Sequence, residues 1–378
     1  MCLIPFNKPY LTGKETSYLE KVMGYGQLAG NGILTNDCHT FFKNRYHFHA
    51  CFLTNSATAS LEMSAILAQI NPGDEVIIPS FTFVATATPF ALRGAKLVFC
   101  DSAKDHPNMD EMLLESLITS KTKAIVVMHY AGMACEMKTI VAITEKYKLF
   151  LIEDAAHAID SYYNETPLGR FGQLSAFSFH ETKNISSGQG GLLVVNDEHL
   201  VERTKVIWEK GTNREAFRRN EVDAYTWVDH GSNYYPSEIT AAFLSAQLSE
   251  FETIKQLRKT RWDNYFEALS TLSDKGFNFP EFKSYQTNNH HIFYIVCSSG
   301  PIRNQLIQHL DQKGVRALFH YQPLHQSPFI LQHQGVHPSL PNAESFADCL
   351  IRLPLYAELS QEDQNRIIAE IHSFSNQL

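Results

Sequence analysis

The sequence predicts an α/β fold, in which helices cover a mostly parallel central sheet and a smaller C-terminal α+β domain follows. From residue 49 to residue 154, short apolar runs alternate with segments of helix length. These runs are apolar throughout, as expected for strands buried on both faces of a parallel sheet. The chain has 378 residues, of which 44% are hydrophobic, enough to build two cores. We therefore predict a large domain at residues 1–245 and a small domain at residues 246–378.

The predicted elements follow in order along the chain. Strands are expected at residues 51–54, 75–79, 96–100, 124–128, 150–154, 176–179, 192–195, 292–297 and 315–319. Helices are expected at residues 15–23, 61–70, 84–93, 110–120, 137–147, 196–210, 302–313 and 361–374, with one long helix or two at 238–272. The glycines of residues 24–32 do not form a dinucleotide-binding motif, because no strand precedes them and their spacing is wrong.

Charge and cysteine content restrict the class of protein. The net charge is -8 and the isoelectric point is about 6.1, which does not suit a nucleic-acid-binding protein. The seven cysteines are scattered without a C-x-x-C pair, so we expect reduced thiols in a cytoplasmic protein. No signal peptide or membrane-spanning stretch is expected. His47 and His49 show no metal-ligand spacing, so no metal site is expected.

Lys183 is the residue around which the prediction of function is organised. It lies in a polar, glycine-rich loop between two predicted strands. An amine held there would be desolvated, which lowers its pKa and suits attack on a carbonyl to form a Schiff base. The alternative is an exposed loop lysine, which is the commoner situation.

Three other groups follow the ends of predicted strands, where ligands bind in parallel sheets. A pyridinium nitrogen would oppose the charge of Asp154, although the residue could also cap the next helix. Ser56, Ala57 and Thr58 open a helix, whose free N–H groups and hydroxyls suit a phosphate or ordinary capping. Phe83 could stack on a cofactor ring or belong to the core.

In this combination and order, these residues resemble the DegT/DnrJ family of sugar aminotransferases, which are fold-type I enzymes dependent on pyridoxal 5'-phosphate. The resemblance covers nearly the whole chain. The matching stretches are residues 73–79, 82–86, 129–132, 153–157, 177–180 and 183–191. The expected fold is therefore that of a fold-type I transferase dependent on pyridoxal phosphate.

The resemblance implies a role for each matching position. Lys183 would form the Schiff base and carry the proton of the transamination, and Asp154 would pair with the pyridine nitrogen. Phe83 would stack on the ring, and His157 would lie beside its hydroxyl. The phosphate would be bound by Ser56, Ala57 and Thr58 at the helix start and by Ser178. The protein would be a homodimer with shared active sites, and Asn233 of the second chain would reach the phosphate across the interface.

The resemblance also extends to substrates. Residues 180–184 and 4–9 look like the branch that converts TDP-4-keto-6-deoxyglucose to TDP-4-amino-4,6-dideoxygalactose with L-glutamate as donor. His320, Tyr321 and His325 look like the family's substrate-side loop, or they are an ordinary surface group. Lys210 and Arg214 would suit the nucleotide diphosphate, or their loop is merely solvated.

Three alternatives compete with this function. One is an aminotransferase of the same fold that acts at C3 or on a UDP-linked sugar. Another is a non-catalytic relative that binds a ligand, which the retention of Lys183, Asp154 and Ser178 opposes. A nicotinamide-dependent dehydrogenase is a more distant alternative, because the glycine fingerprint is absent.

Overall fold

A seven-stranded sheet forms the centre of the computed structural model, which describes residues 3–378. Its strands are β1 (Ala50–Thr54), β2 (Glu75–Pro79), β3 (Lys96–Cys100), β4 (Thr122–Met128) and β5 (Phe150–Asp154), and, after a short hairpin of β6 (Tyr162–Tyr163) and β7 (Thr166–Pro167), β8 (Leu174–Ser178) and β9 (Gly191–Val195). The spatial order is β1-β9-β8-β5-β4-β2-β3. Only β9 runs against its neighbours, so the predicted mostly parallel sheet is confirmed.

Helices cover both faces of this sheet. The helices up to residue 269 are α1 (Glu15–Tyr25), α2 (Ile33–Tyr46), α3 (Ala57–Leu67), α4 (Thr88–Leu92), α5 (Leu114–Leu117), α6 (Met137–Tyr147), α7 (Val201–Trp208), α8 (Arg214–Arg218), α9 (Glu238–Ser249) and α10 (Phe251–Leu269). In β4, Ile125 and Val127 face a core shared with α2, α6 and α9, whereas Ala124 and Val126 face a core shared with α3 and α4. Burial on both faces explains why the predicted strand carries no polar alternation.

A smaller antiparallel sheet follows α10. Its strands are β10 (Phe277–Asn278), β11 (Tyr294–Cys297), β12 (Leu318–Phe319) and β13 (Leu350–Arg352), in the order β10-β11-β13-β12. The remaining helices are α11 (Gly300–Gln312), α12 (Pro328–Gln334), α13 (Pro341–Cys349) and α14 (Gln361–Ser375). Residues of α10, α11 and α14 pack on this sheet in a separate core. The predicted α+β character of the C-terminal region follows from this arrangement, and the boundary at residue 245 stays a prediction.

Helix α2 was not predicted, because the group that caps it is distant in sequence. Glu238, at the start of α9, accepts hydrogen bonds from the N–H groups of Gly32 at 2.9 Å and Leu34 at 2.9 Å. A carboxylate at this position satisfies free donors and interacts favourably with the positive end of the helix. A Cβ on Gly32 would lie 2.6 Å from Cδ of Glu238, so a larger residue there would displace the capping carboxylate. No local capping residue therefore marks the helix start.

Other boundaries differ from prediction in specific ways. Helix α3 begins at residue 57 instead of 61, because Ser56 Oγ caps it by accepting a 3.1 Å hydrogen bond from Ala59 N–H. The helix expected at 84–93 is a 3₁₀ turn (Val84–Thr86) followed by α4, and the helix expected at 110–120 is a 3₁₀ turn (Glu111–Leu113) followed by α5.

Two further observations concern the part of the chain that the structure describes. No helix between residues 3 and 378 has the length and apolar character needed to cross a bilayer. Cysteines 38, 51, 100, 135, 297 and 349 are all free thiols.

Candidate active site

A cavity of about 680 Å³ lies where the carboxyl ends of the central strands meet the small domain. It is lined by the start of α3, the turn after β2, the ends of β5 and β8, the β8–β9 loop and the segment around β12 and β13. Ten of the predicted site residues line this one cavity: Ser56, Ala57, Thr58, Phe83, Asp154, His157, Ser178, Lys183, His320 and Tyr321. Eight of them converge because a parallel sheet brings the ends of its strands to one edge, and His320 and Tyr321 come from the segment after β12.

Lys183 lies in the β8–β9 loop and is partly buried. Its N–H donates to the His180 carbonyl at 2.9 Å, which closes a turn and directs the side chain to the cavity. Burial lowers the pKa of Lys183 to about 8, with a smaller lowering by the charge of Arg352, while Asp154 acts in the opposite direction. The neutral fraction of the amine at neutral pH is therefore much larger than for an ordinary lysine, whose pKa is 10.5, and the neutral form is the nucleophile.

Asp154 ends β5 and is buried. Its Oδ2 accepts a hydrogen bond from Thr86 Oγ1 at 2.7 Å, and its Oδ1 accepts one from Ala156 N–H at 3.1 Å. Burial raises the pKa of Asp154, and the bonds from Thr86 and Ala156 oppose that rise. A positive partner in the cavity would stabilise the charged carboxylate, and a pyridinium nitrogen is such a partner.

The start of α3 presents free donors to the same cavity. Within residues 3–378, no group accepts a hydrogen bond from the N–H groups of Ala57 or Thr58. Gly191, the first residue of β9, approaches so closely that a Cβ there would lie 2.5 Å from Ala57 N. Free N–H groups at the positive end of a helix bind phosphate. Ser178, which ends β8, lines the cavity beside them.

Aromatic and imidazole rings form another wall of the cavity. Tyr321 lies between Phe83 and His157, with its hydroxyl 3.3 Å from His157 Nε2 and its ring centroid 6.1 Å from that of Phe83. His157 Nδ1 accepts a 3.3 Å hydrogen bond from Ala131 N–H, and burial holds the pKa of His157 well below its usual value. His157 is therefore neutral. The Phe83 side chain is 56% exposed and available for stacking on a planar ligand.

His320 and Tyr321 extend this wall toward the small domain. Their rings stack with centroids 3.6 Å apart, and His320 Nδ1 lies 2.6 Å from the Tyr130 hydroxyl. Burial also holds the pKa of His320 well below its usual value. The pair is thus a neutral polar surface, suited to hydrogen bonding with hydroxyl groups of a ligand.

The other predicted site residues lie outside the cavity of their own chain. Asn233 is exposed, with its carbonyl accepting a 3.1 Å hydrogen bond from Asn55 Nδ2. Lys210 Nζ donates to Tyr235 Oη at 2.8 Å, and Arg214 begins α8. None of these three residues lines the cavity of its own chain.

His325 has a different environment from that expected for a substrate-binding residue. It is buried outside the cavity, with Nδ1 2.7 Å from Ser80 Oγ and Nε2 3.1 Å from Glu344 Oε1. Glu344 also accepts hydrogen bonds from Ser339 Oγ and Leu340 N–H. Both ring nitrogens of His325 therefore have protein partners, and the histidine joins the turn after β2 to α13.

Several residues that complete the site were not predicted. Thr86 is not part of the cavity lining, but its hydroxyl donates a hydrogen bond to Asp154. The cavity is also lined by His291 and Arg352 of the small domain and by Phe6 of the N-terminal segment. The sequence does single out Arg352, because it lies in the apolar run Ile351-Arg352-Leu353 and a charged residue within an apolar strand needs a partner or a ligand. His291 had no comparable signal, because it follows an irregular polar stretch.

Pyridoxal phosphate fits the residues present. Free N–H groups at the start of α3 suit its phosphate, and buried Asp154 suits its pyridine nitrogen. The partly buried amine of Lys183 lines the same cavity and suits its aldehyde. No cluster of metal-binding side chains is found in the described part of the chain.

The chain is similar to known aminotransferases over nearly its whole length. The model of the DegT/DnrJ/EryC1/StrS aminotransferase family matches residues 9–372. Uncharacterized protein MJ1066 from Methanocaldococcus jannaschii is 32% identical over 329 residues, which is 85% of each protein. The PLP-form of Spr1654 from Streptococcus pneumoniae has a TM-score of 0.91 and 25% identity, covering 99% of both chains. Helicobacter pylori PseC, an aminotransferase involved in the biosynthesis of pseudoaminic acid, has a TM-score of 0.90 and 26% identity, covering 100% of both chains.

The family match includes both domains and every residue that lines the cavity except Phe6 and Asn7. The similarity to solved structures likewise extends over the whole fold, including the small domain. This chain therefore belongs to the DegT/DnrJ/EryC1/StrS aminotransferase family, and it is a sugar aminotransferase that uses pyridoxal phosphate.

Proposed function

We propose that the enzyme transfers the amino group of L-glutamate to C4 of TDP-4-keto-6-deoxy-D-glucose, giving TDP-4-amino-4,6-dideoxy-D-galactose and 2-oxoglutarate. The observation that carries the proposal is the placement of Lys183 in one cavity with Asp154 and with the neutral polar wall of His320 and Tyr321. One site can serve the amino acid and the keto sugar in turn, because Lys183 could transfer a proton from the α-carbon of the first and to C4 of the second. Residues 4–9 and 180–184, which resemble the 4-aminotransferase branch, both border this cavity.

The protein would hold the cofactor through three groups. The N–H groups of Ala57 and Thr58, with the hydroxyls of Ser56 and Ser178 nearby, would bind the phosphate. Asp154 would bind the pyridine nitrogen, and Lys183 would bind the aldehyde carbon. When bound, pyridoxal phosphate supplies an electron sink for the pair of electrons left when the α-proton of the amino acid is removed.

Lys183 would move the protons of the reaction. Its Nζ takes the α-proton of glutamate and, in the second half of the reaction, delivers a proton to C4 of the sugar. The amino nitrogen ends on C4, the oxygen of the sugar carbonyl leaves as water, and a second water supplies the keto oxygen of 2-oxoglutarate. His157, neutral and fixed by Ala131 N–H, would orient a hydroxyl group of the cofactor.

A homodimer with shared active sites would bring in the residues that lie outside the cavity. Asn233 would complete the phosphate site of the second chain, and Lys210 and Arg214 would bind the diphosphate of the nucleotide sugar there. Their exposure in the single chain and their absence from the lining of its own cavity support this assignment. The free thiols favour a reducing compartment such as the cytoplasm.

Absorbance spectroscopy with substrates tests the proposal. The purified enzyme should show the visible band of bound cofactor, glutamate should bleach it, and TDP-4-keto-6-deoxy-D-glucose should restore it. NMR of the product should show nitrogen at C4. Restoration only by a 3-keto sugar or by a UDP-linked sugar would overturn the substrate assignment, and absence of the band after addition of pyridoxal phosphate would favour a binding protein.

A matched pair of variants tests the role of the amine. The Lys183→Ala variant should lose the band and about 10⁴-fold or more in turnover, because both the covalent and the proton-transfer roles are removed. The Lys104→Ala variant, at an exposed lysine outside the cavity, should behave as the wild type. Retained turnover in the Lys183→Ala variant would refute the mechanism.

A further inference from the structure

Arg352 is a cation of the cavity that the proposed mechanism does not use. It ends β13, where it pairs with Tyr294 of β11 and Leu318 of β12. Of the arginines and lysines in the described chain, only Lys183 and Arg352 line the cavity. Arg352 therefore brings a fixed positive charge to the side of the cavity formed by the small domain, opposite the cofactor-binding residues of the large sheet.

The guanidinium is held in place but incompletely bonded. Nη2 donates to the Phe319 carbonyl at 3.0 Å, and the carbon Cζ lies 4.8 Å from the ring centroid of Phe6. The Nε atom is buried, and it has no hydrogen-bond partner within residues 3–378. Nor does Arg352 form an ion pair with any carboxylate in that range. A buried N–H of a charged group without a partner is costly, and an anion that enters the cavity would remove that cost.

The surroundings of Arg352 do not supply that anion. Its neighbours Tyr130, Tyr321 and His320 are neutral, because burial raises the pKa values of the two tyrosines and lowers that of the histidine. The carboxylate of the cavity, Asp154, is already bonded to Thr86 and Ala156. The missing partner is therefore a ligand, and the fork of a guanidinium matches a carboxylate or a phosphate.

Distance from the reacting amine distinguishes these two anions. The positive charge of Arg352 is close enough to Lys183 to lower the pKa of its amine. In an amino acid, the α-carboxylate is attached to the carbon that carries the amino nitrogen. In a 4-keto sugar nucleotide, the diphosphate is separated from C4 by the width of the sugar ring. A cation near Lys183 is thus better placed for the α-carboxylate.

We propose that Arg352 binds the α-carboxylate of the amino donor, with its unpaired Nε as one of the donors. This inference rests on the proposed function, because it requires Lys183 to take the α-proton of an amino acid. It makes Arg352 a specificity-determining residue for α-amino acids. Because Arg352 belongs to a strand paired on both edges, the carboxylate site would be rigid before the substrate arrives.

The two half-reactions, measured separately by cofactor absorbance, test the inference. In the Arg352→Gln variant we expect the concentration of glutamate for half-maximal bleaching to rise by about 10²-fold, as charge-assisted hydrogen bonds to a carboxylate are lost. The loss in the reaction of the aminated enzyme with the keto sugar should be at least about tenfold smaller. For Arg352→Lys, the glutamate concentration for half-maximal bleaching should lie between the values for the wild type and for Arg352→Gln. For Arg316→Gln, at an exposed position, it should equal the wild-type value.

A binding measurement separates affinity from turnover. Calorimetric titration with α-methyl-L-glutamate, which has no α-proton, should show the same loss of affinity in Arg352→Gln at wild-type cofactor content. A larger loss in the sugar half-reaction than in the donor half-reaction would overturn the inference in favour of the diphosphate. Equal losses in the two half-reactions, together with a loss of bound cofactor, would also overturn the inference. If the wild type uses another amino acid instead of glutamate, the donor assignment fails, and titration with that amino acid still tests Arg352.

Discussion

The Thr86 hydroxyl donates a 2.7 Å hydrogen bond to Asp154 Oδ2, which joins the turn after β2 to the end of β5. Thr82 Oγ1 lies 2.7 Å from Thr86 Oγ1, and all three side chains are buried. Because the proton of Thr86 is directed to Asp154, the Thr82 hydroxyl donates to Thr86. This chain of bonds fixes the carboxylate that would meet the pyridine nitrogen and opposes the rise in its pKa.

Removing the Thr86 hydroxyl should weaken cofactor binding. In a Thr86→Val variant the pKa of Asp154 should rise further, so that less carboxylate is charged to hold the pyridinium. We expect the dissociation constant of pyridoxal phosphate to increase about tenfold, from the loss of a hydrogen bond to a charged group. Equilibrium dialysis measures it, with Thr253→Val in α10 as the control. Unchanged affinity would show that Thr86 does not support Asp154.

Uptake of the cofactor by the apoprotein should accelerate with pH. Lys183 must be neutral to attack an aldehyde, and burial lowers its pKa to about 8, so the rate should rise through a midpoint near pH 8. The charge of Asp154 raises that pKa. The midpoint should therefore move to lower pH in Asp154→Asn and stay in place in Asp37→Asn. Stopped-flow absorbance checks both, and a midpoint near 10.5 would contradict the burial of the amine.

The same shift in Lys183 has a consequence for stability. Between about pH 8 and 10.5, the unfolded chain holds a proton on this lysine that the folded chain has released. Unfolding takes up that proton, so this group makes the free energy of unfolding of the apoprotein rise with pH over that window. The contribution should vanish in the Lys183→Met variant, which denaturant titrations at pH 8 and pH 10 would reveal.

Glu153, next to Asp154 in β5, should be a stability determinant. Its buried carboxylate accepts hydrogen bonds from the N–H groups of Gly169, Phe171 and Gly172 at 2.8, 2.8 and 2.7 Å, and from His129 Nε2 at 3.1 Å. Although burial opposes it, these bonds hold the pKa of Glu153 below its usual value. The stabilisation is therefore present at neutral pH and is lost as pH falls through the folded pKa.

Replacing Glu153 by alanine leaves those donors buried without a partner. We expect the free energy of unfolding to fall by about 3–5 kcal/mol, measured by denaturant titration of the apoprotein. The exposed Glu165→Ala should change it by less than about 0.5 kcal/mol. A small effect at Glu153 would mean that water replaces the carboxylate in the core.

The central sheet could be predicted because its strands are continuous apolar runs between turns. Helix α2 could not, because its cap, Glu238, is brought to it only by the tertiary fold. The same limit applies to the site. Lys183, Asp154 and Ser56 stand next to predicted strands, so their convergence followed from the parallel topology. Thr86 acts through a contact between segments distant in sequence, which no local pattern reveals. Arg352 stands out as a charge within an apolar strand, but its contact with Phe319 and its place in the cavity follow only from the tertiary fold.

His320 and His325 illustrate this limit within one loop. Five positions apart in the same polar stretch, they had equal claims to bind substrate. His320 lines the cavity, whereas His325 bonds Ser80 and Glu344. We expect His325→Ala to lower the free energy of unfolding by about 2–3 kcal/mol without raising the KM for the sugar in the fraction that is folded. His320→Ala should raise that KM. A raised KM for the sugar in His325→Ala and an unchanged KM in His320→Ala would instead indicate that His325 binds the substrate.

Complementation between inactive chains tests the sharing of active sites. Asn233 is exposed and lies outside the cavity of its own chain, so we expect it to serve the site of a second chain. In a mixed dimer of Lys183→Ala and Asn233→Ala chains, one of the two sites has both residues intact. Unfolding and refolding equal amounts together should therefore restore activity toward about a quarter of the wild-type value, since half the dimers are mixed. If Asn233 acted within its own chain, every site would lack one residue, and mixing would restore nothing.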